Sequence, residues 1–128
     1  MQISTKALVL SSIKYGDTSL IVKAFTYSDG LKSYLLKGIL ASKRGKLKTA
    51  YFQPLTQLEI VVNHKNKGTL ERLIDAKVNY PYQSVHTDIA KNAMILFLSE
   101  ILVNSIFEEE QNKDLFNFME AGLQWMDT

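Results

Sequence analysis

Apolar and polar residues alternate in short runs over the first eighty positions, and the interval lengthens to helical spacing from about Thr87. Met1 to Ile13 mixes β-branched and aliphatic residues (Ile3, Thr5, Ala7, Leu8, Val9, Leu10, Ile13) without helical spacing, which predicts a first strand with one well-buried stretch. Tyr15-Gly16-Asp17 ends it. Leu20 to Tyr27 predicts a second strand, with Leu20, Val22 and Ala24 on one face and Ile21, Lys23 and Phe25 on the other. Ser28-Asp29-Gly30 then turns the chain, because Asp-Gly supplies the positive φ of tight hairpins. Leu31 to Lys37 returns as a third strand whose alternate residues Lys32, Tyr34 and Leu36 share a face, placing a cation beside an aromatic ring.

The clearest alternation follows Pro54. From Leu55 to Asn63, Leu58, Ile60 and Val62 interleave with Gln57, Glu59 and Val61, predicting a fourth strand. After the polar connection His64 to Gly68, Leu70 to Val78 predicts a fifth, with Leu70, Arg72, Ile74 and Ala76 set against charged neighbours. Tyr80-Pro81-Tyr82 ends the β region, since proline lacks a ladder donor and restricts the residue before it. Five short strands with hairpin-type links predict an α+β chain: a five-stranded antiparallel barrel over residues 1–80, then an α-helical segment over 81–128.

In that segment Ile89, Ala93, Met94, Phe97, Ile101 and Leu102 recur at helical spacing, and the helix is expected to run to about Phe107. Glu108 to Gln111 form a polar break. Asn112 to Asp114 offer caps for a second helix, striped by Leu115, Phe118, Met119 and Met126. Both helices are apolar around much of their circumference, and are expected to pack on the barrel and on something further, either a partner or additional chain.

Charge sharpens this division. Through Lys77 thirteen Lys and Arg stand against five Asp and Glu, a surplus of eight; from Val78 onward two stand against eight, a deficit of six. A basic front and an acidic back imply two surfaces with different tasks, of which only the front attracts nucleic acid. The surplus is densest between Leu31 and Thr49, which holds Lys32, Lys37, Lys43, Arg44, Lys46 and Lys48, with Gly38 and Gly45 interrupting any helix; no acidic residue occurs between Asp29 and Glu59. Lys65 and Lys67 add two cations in the next connection. Such a segment is either a solubilising surface or a landing place for a polyanion, and its position beside a small barrel favours the latter.

Other chemistry finds little footing. There is no cysteine, which rules out a thiolate zinc site in these residues and fits a reducing, cytoplasmic setting. No apolar run is long enough to cross a bilayer. His64 and His86 have no ligand-spaced partners and read as solvated loop residues, and no Walker loop, dinucleotide fingerprint or nucleophile elbow occurs, so neither cofactor nor enzyme activity is expected. Among the aromatic residues Tyr15, Tyr27, Tyr34 and Tyr51 are candidate base-stacking platforms, with core packing the alternative for Tyr34, while Phe52 reads as core.

In order, Ala7-Leu8-Val9-Leu10, Tyr15-Gly16-Asp17, Phe25-Thr26, Asp29-Gly30-Leu31, Leu36-Lys37-Gly38, Ser42-Lys43-Arg44 and Gln53-Pro54-Leu55 resemble the N-terminal half of the bacterial DNA repair family RecO. The resemblance implies an OB-fold followed by helices, and a non-enzymatic mediator that binds single- and double-stranded DNA, anneals strands, and works with RecR and single-strand-binding protein to load RecA. It places Lys37, Gly38, Lys43 and Arg44 on the family's basic stretch, which Lys46 and Lys48 extend by charge. Charge and strand position, rather than the resemblance, add Lys32, Tyr34, Lys65 and Lys67 to the expected nucleic-acid surface. Many members of that family are longer and carry a cysteine-ligated zinc element, so residues 81–128 are expected to be the start of a truncated helical domain. The alternative reading is an OB-fold module for protein interaction or RNA binding without a repair role.

Overall fold

The computed structural model describes residues 2–41, 49–63, 70–105 and 112–128. Five strands close a barrel in the order β1-β2-β3-β5-β4: β1 (Gln2–Tyr15), β2 (Ser19–Thr26), β3 (Gly30–Leu36), β4 (Gln57–Asn63) and β5 (Glu71–Tyr80). Two helices follow, α1 (Ile89–Ser105) and α2 (Lys113–Met126). The five-stranded barrel with a helical segment, expected from the alternation, is therefore present, and its topology is the OB-fold that the resemblance implies. Neighbouring strands run antiparallel except at the seam, where β3 and β5 are parallel and meet at Tyr34↔Glu71 and Leu35↔Arg72.

β1 is long because it serves two neighbours. Its first half pairs with β4 from Gln2↔Asn63 to Leu8↔Gln57, and its second with β2 from Ala7↔Thr26 to Tyr15↔Ser19. A bulge between Val9 and Ser11 lets the strand bend between the two, as an extra residue sharpens twist and curvature. Leu55 reinforces the bend from outside. It holds φ 58, costly for a branched side chain, but is fully buried, donates its N–H to the Val9 carbonyl (2.6 Å) and accepts from the Tyr82 hydroxyl (2.6 Å).

Inward residues of all five strands fill the barrel: Ala7, Val9, Leu20, Val22, Ala24, Tyr34, Leu36, Leu58, Ile60, Val62, Leu73 and Ala76, with Ile39 and Phe52 from the connection between β3 and β4. A second apolar layer lies outside the sheet. There Leu8, Leu10, Phe25 and Leu55 meet Val85, Ile95, Leu102, Phe116, Met119 and Leu123 from the linker and helices. Phe116 is the anchor, tilted on Phe25 at 5.7 Å and edge-on to Tyr27 at 5.5 Å.

Polar bonds fix the same junction. Gln57, buried on the outer face of β4, donates to the Tyr82 hydroxyl (3.2 Å) and the Glu120 carbonyl (3.4 Å), and accepts from Gln124 (3.0 Å). The Asp127 carboxylate closes α2 onto the linker by accepting the backbone N–H groups of Gln83, Ser84 and Val85 at 2.9–3.0 Å. His86 is not a solvated loop residue: its Nε2 donates to the Pro54 carbonyl at 2.8 Å, and its ring stands edge-on to Tyr82.

Three faces differ from the sequence expectation. In β5 the buried residues are Glu71, Leu73 and Ala76, whereas Leu70, Arg72 and Ile74 are exposed; a register shift opposite Val61/Val62 changes parity before Ala76. In α1 the buried residues are Ile95, Ser99 and Leu102, so the stripe Ile89, Met94, Phe97 and Ile101 faces out. In α2 Phe116, Met119 and Leu123 are buried and Phe118 is 74% exposed. Asn112 is the N-cap, accepting the Leu115 N–H.

Candidate nucleic-acid interface

The outer sheet is divided by what covers it. One row across the strands, Gln57–Leu8–Phe25–Leu31, lies beneath the helices. The rows beyond the bulge are open. Ser11 aligns with Lys23 and Ser33; Ile13 aligns with Ile21, Leu35 and, across the seam, Arg72; Tyr15 aligns with Ser19. Ile13, Tyr15, Arg72 and Ile74 are exposed, and Ile21, Lys23, Ser33 and Leu35 half-buried. Outward positions of β2 and β3 make this the sheet face with which OB barrels hold ligands.

The start of the basic segment is tied to the rim of this face. Gly38, at φ 74, donates its N–H to Ser19 Oγ (3.2 Å), the Leu40 N–H reaches the Thr18 carbonyl (2.9 Å), and Ile39 plugs the barrel core. Only a residue without a Cβ adopts that φ cheaply, and it lets the chain reverse over the β1–β2 turn. Lys37 is exposed beside it. The open rows themselves contain no Asp or Glu; Asp17, in the adjoining turn, is the acidic neighbour.

Of the residues singled out from sequence, Lys37 and Gly38 lie at this rim. Lys43, Arg44, Lys46, Lys48, Lys65 and Lys67 lie outside the described residues, as does His64. Lys32 and Tyr34 require correction. They do share a face, but it is the inner one: Tyr34 is 1% and Lys32 5% exposed, and Lys32 Nζ lies 2.9 Å from Glu71 Oε1 in the barrel. Neither presents its side chain to a ligand on the outer sheet. An inward lysine escapes sequence reading because its acidic partner is 39 positions away, on the other strand of the parallel seam.

Lys23, Ser33 and Arg72 are the candidate site residues that the sequence did not single out. Alternation put Lys23 opposite Leu20, Val22 and Ala24, but which stretch of the outer face stays open depends on where the helices dock. Among the described residues no group of three or more His, Asp or Glu side chains could hold a metal ion, and no helix is long and apolar enough to cross a membrane.

A closed five-stranded barrel in this strand order, with one sheet half covered by helices and the other open, places the chain among proteins of the oligonucleotide-binding (OB) fold. Residues 1–82 match the family described as "Recombination protein O N terminal", and residues 86–128 match "Recombination protein O C terminal". The chain belongs to the recombination protein O (RecO) family. It is similar to the DNA repair protein RecO of Flavobacterium psychrophilum, 55% identical over 127 residues that cover 99% of this chain and 53% of that protein. The DNA repair protein RecO of Christiangramia forsetii is 53% identical over 128 residues, 100% and 54% respectively, and that of Flavobacterium johnsoniae 54% over 127, 99% and 54%. The chain spans about half the length of these curated relatives.

Proposed function

We propose that this chain supplies the DNA-binding portion of a recombination mediator in cytoplasmic DNA repair, with residues 1–80 as the binding domain and 81–128 as the beginning of a helical domain. In this reading it binds single- and double-stranded DNA without enzymatic activity, supports annealing, and assists loading of RecA together with RecR and single-strand-binding protein. The observation that carries the reading is the open sheet face on which Lys23 and Arg72 stand, with Lys37 at its rim. Cations on such a surface neutralise phosphates, and counterion release then drives binding without regard to sequence.

The test is a titration of the chain with single-stranded DNA, duplex and RNA of equal length. Binding to both DNA forms is expected, weakened about tenfold or more when Lys43, Arg44 and Lys46 are together replaced by Gln, since each neutralised phosphate contributes separately. Unchanged affinity would remove the basic segment from the interface, and a strong preference for RNA would favour the RNA-binding alternative.

A second reading draws on the helices. Ile89, Phe97, Phe118 and Trp125 are 70–89% exposed, more apolar surface than a finished exterior carries, and favour a protein-docking role for the helical segment alongside DNA binding by the barrel. An apolar partner should bind there independently of salt.

A further inference from the structure

Resting on the nucleic-acid reading above, we propose that the barrel holds a strand by its sugar-phosphate backbone and leaves the bases off the protein, free to pair. OB barrels that grip single strands by their bases use exposed aromatic rings as stacking platforms. Here the rings are engaged elsewhere. Tyr34, Phe25 and Phe52 are buried; Tyr51 packs on the barrel core; Tyr80 stands edge-on to Tyr82 at 5.7 Å. Tyr27 is edge-on to Phe116, with the ammonium groups of Lys113 and Lys6 at 5.0 and 5.9 Å from its centroid. Among the described barrel residues, Tyr15 alone presents an exposed ring, at the very end of β1.

What the open rows do offer suits phosphate. Lys23, Arg72 and Ser33 carry donors for phosphate oxygens, while Ile13, Ile21 and Leu35 have no π face and offer aliphatic surface on which sugars can pack. The cationic stretches 42–48 and 64–69 contain no Phe, Tyr or Trp in their sequence. Exposed rings do occur at Phe97, Phe118 and Trp125, but in the segment from Val78 onward, where eight acidic residues against two basic ones repel a phosphate chain. A strand held this way keeps its Watson–Crick edges and base faces in solvent, which lets a complementary strand add to it on the protein.

The experiment compares a labelled oligothymidine with an abasic oligomer of the same number of phosphates, titrated by anisotropy at one salt concentration. Dissociation constants within about threefold of each other are expected, because one stacked base alone would separate them by about fivefold or more. A larger gap overturns the proposal, as does a ratio that Tyr15→Ala moves by more than about threefold, the margin set by that same stacking contribution. Oligothymidine binding with loss of the abasic ligand refutes this inference while leaving the nucleic-acid reading standing; failure of both ligands to bind refutes both.

Discussion

The Lys32 ammonium lies 2.9 Å from the Glu71 carboxylate inside the barrel, joining β3 to β5 where the parallel ladder offers only Tyr34↔Glu71 and Leu35↔Arg72. Each side chain is 5% exposed or less. A buried pair of this kind gives little net stability over an apolar pair, yet removing one member leaves the other charge buried without its counterion. Lys32→Ala should therefore cost about 3–5 kcal/mol in urea unfolding, whereas Lys32→Met combined with Glu71→Leu should fall within about 2 kcal/mol of the parent. A double variant as unstable as the single one would show that the seam requires the charges themselves.

Lys23 and Arg72 stand on the open outer sheet, and their side chains are not required by the core. Replacing both by Gln should leave the unfolding midpoint nearly unchanged, as surface substitutions generally cost within about 0.5 kcal/mol each. Single-strand affinity should fall, and the log–log salt slope should become shallower by about 0.7 for each phosphate that is no longer neutralised. Parallel unfolding and binding measurements separate the two effects.

Asp127 binds the linker through three backbone N–H groups. Burial alone would raise its pKa, but the bonds from Gln83, Ser84 and Val85 outweigh that and hold it below the ordinary 3.8. A folded pKa below the unfolded one contributes stability above the unfolded value, which is lost as pH falls through the folded one. Asp127→Asn should thus be less stable than the parent at neutral pH by about 1–2 kcal/mol, with the gap closing as pH falls below about 3.8. Urea unfolding at neutral and acid pH measures it.

The two sides of α1 and α2 should respond in opposite ways. Phe116→Ala removes the ring on which Phe25 and Tyr27 pack and should cost about 3–5 kcal/mol. Phe97→Gln and Trp125→Gln, at positions 70% and 79% exposed, should each change stability by about 0.5 kcal/mol or less in urea unfolding.

Much of the barrel is legible in single alternations, because Leu20, Val22, Ala24, Leu58, Ile60 and Val62 each point inward at every second position. The misread positions have physical causes. Lys32 and Glu71 satisfy each other inside the barrel, so a polar residue there does not mark the solvent face. In α1 apolar residues occur on both sides, and spacing cannot choose between Ile95–Leu102 and Met94–Ile101; packing with Leu10 and Phe25 makes the choice. The open half of the sheet is legible only once the helices are placed, which is why Lys23 and Arg72 emerge from structure while Lys37 and Gly38 are visible from charge and turn chemistry.

The most direct test of nucleic-acid binding by the basic barrel is the salt dependence of its affinity for a single-stranded oligonucleotide. Neutralising about five phosphates predicts a slope of log affinity against log salt near −3.5. A slope of zero, or no binding at low salt, would contradict the account.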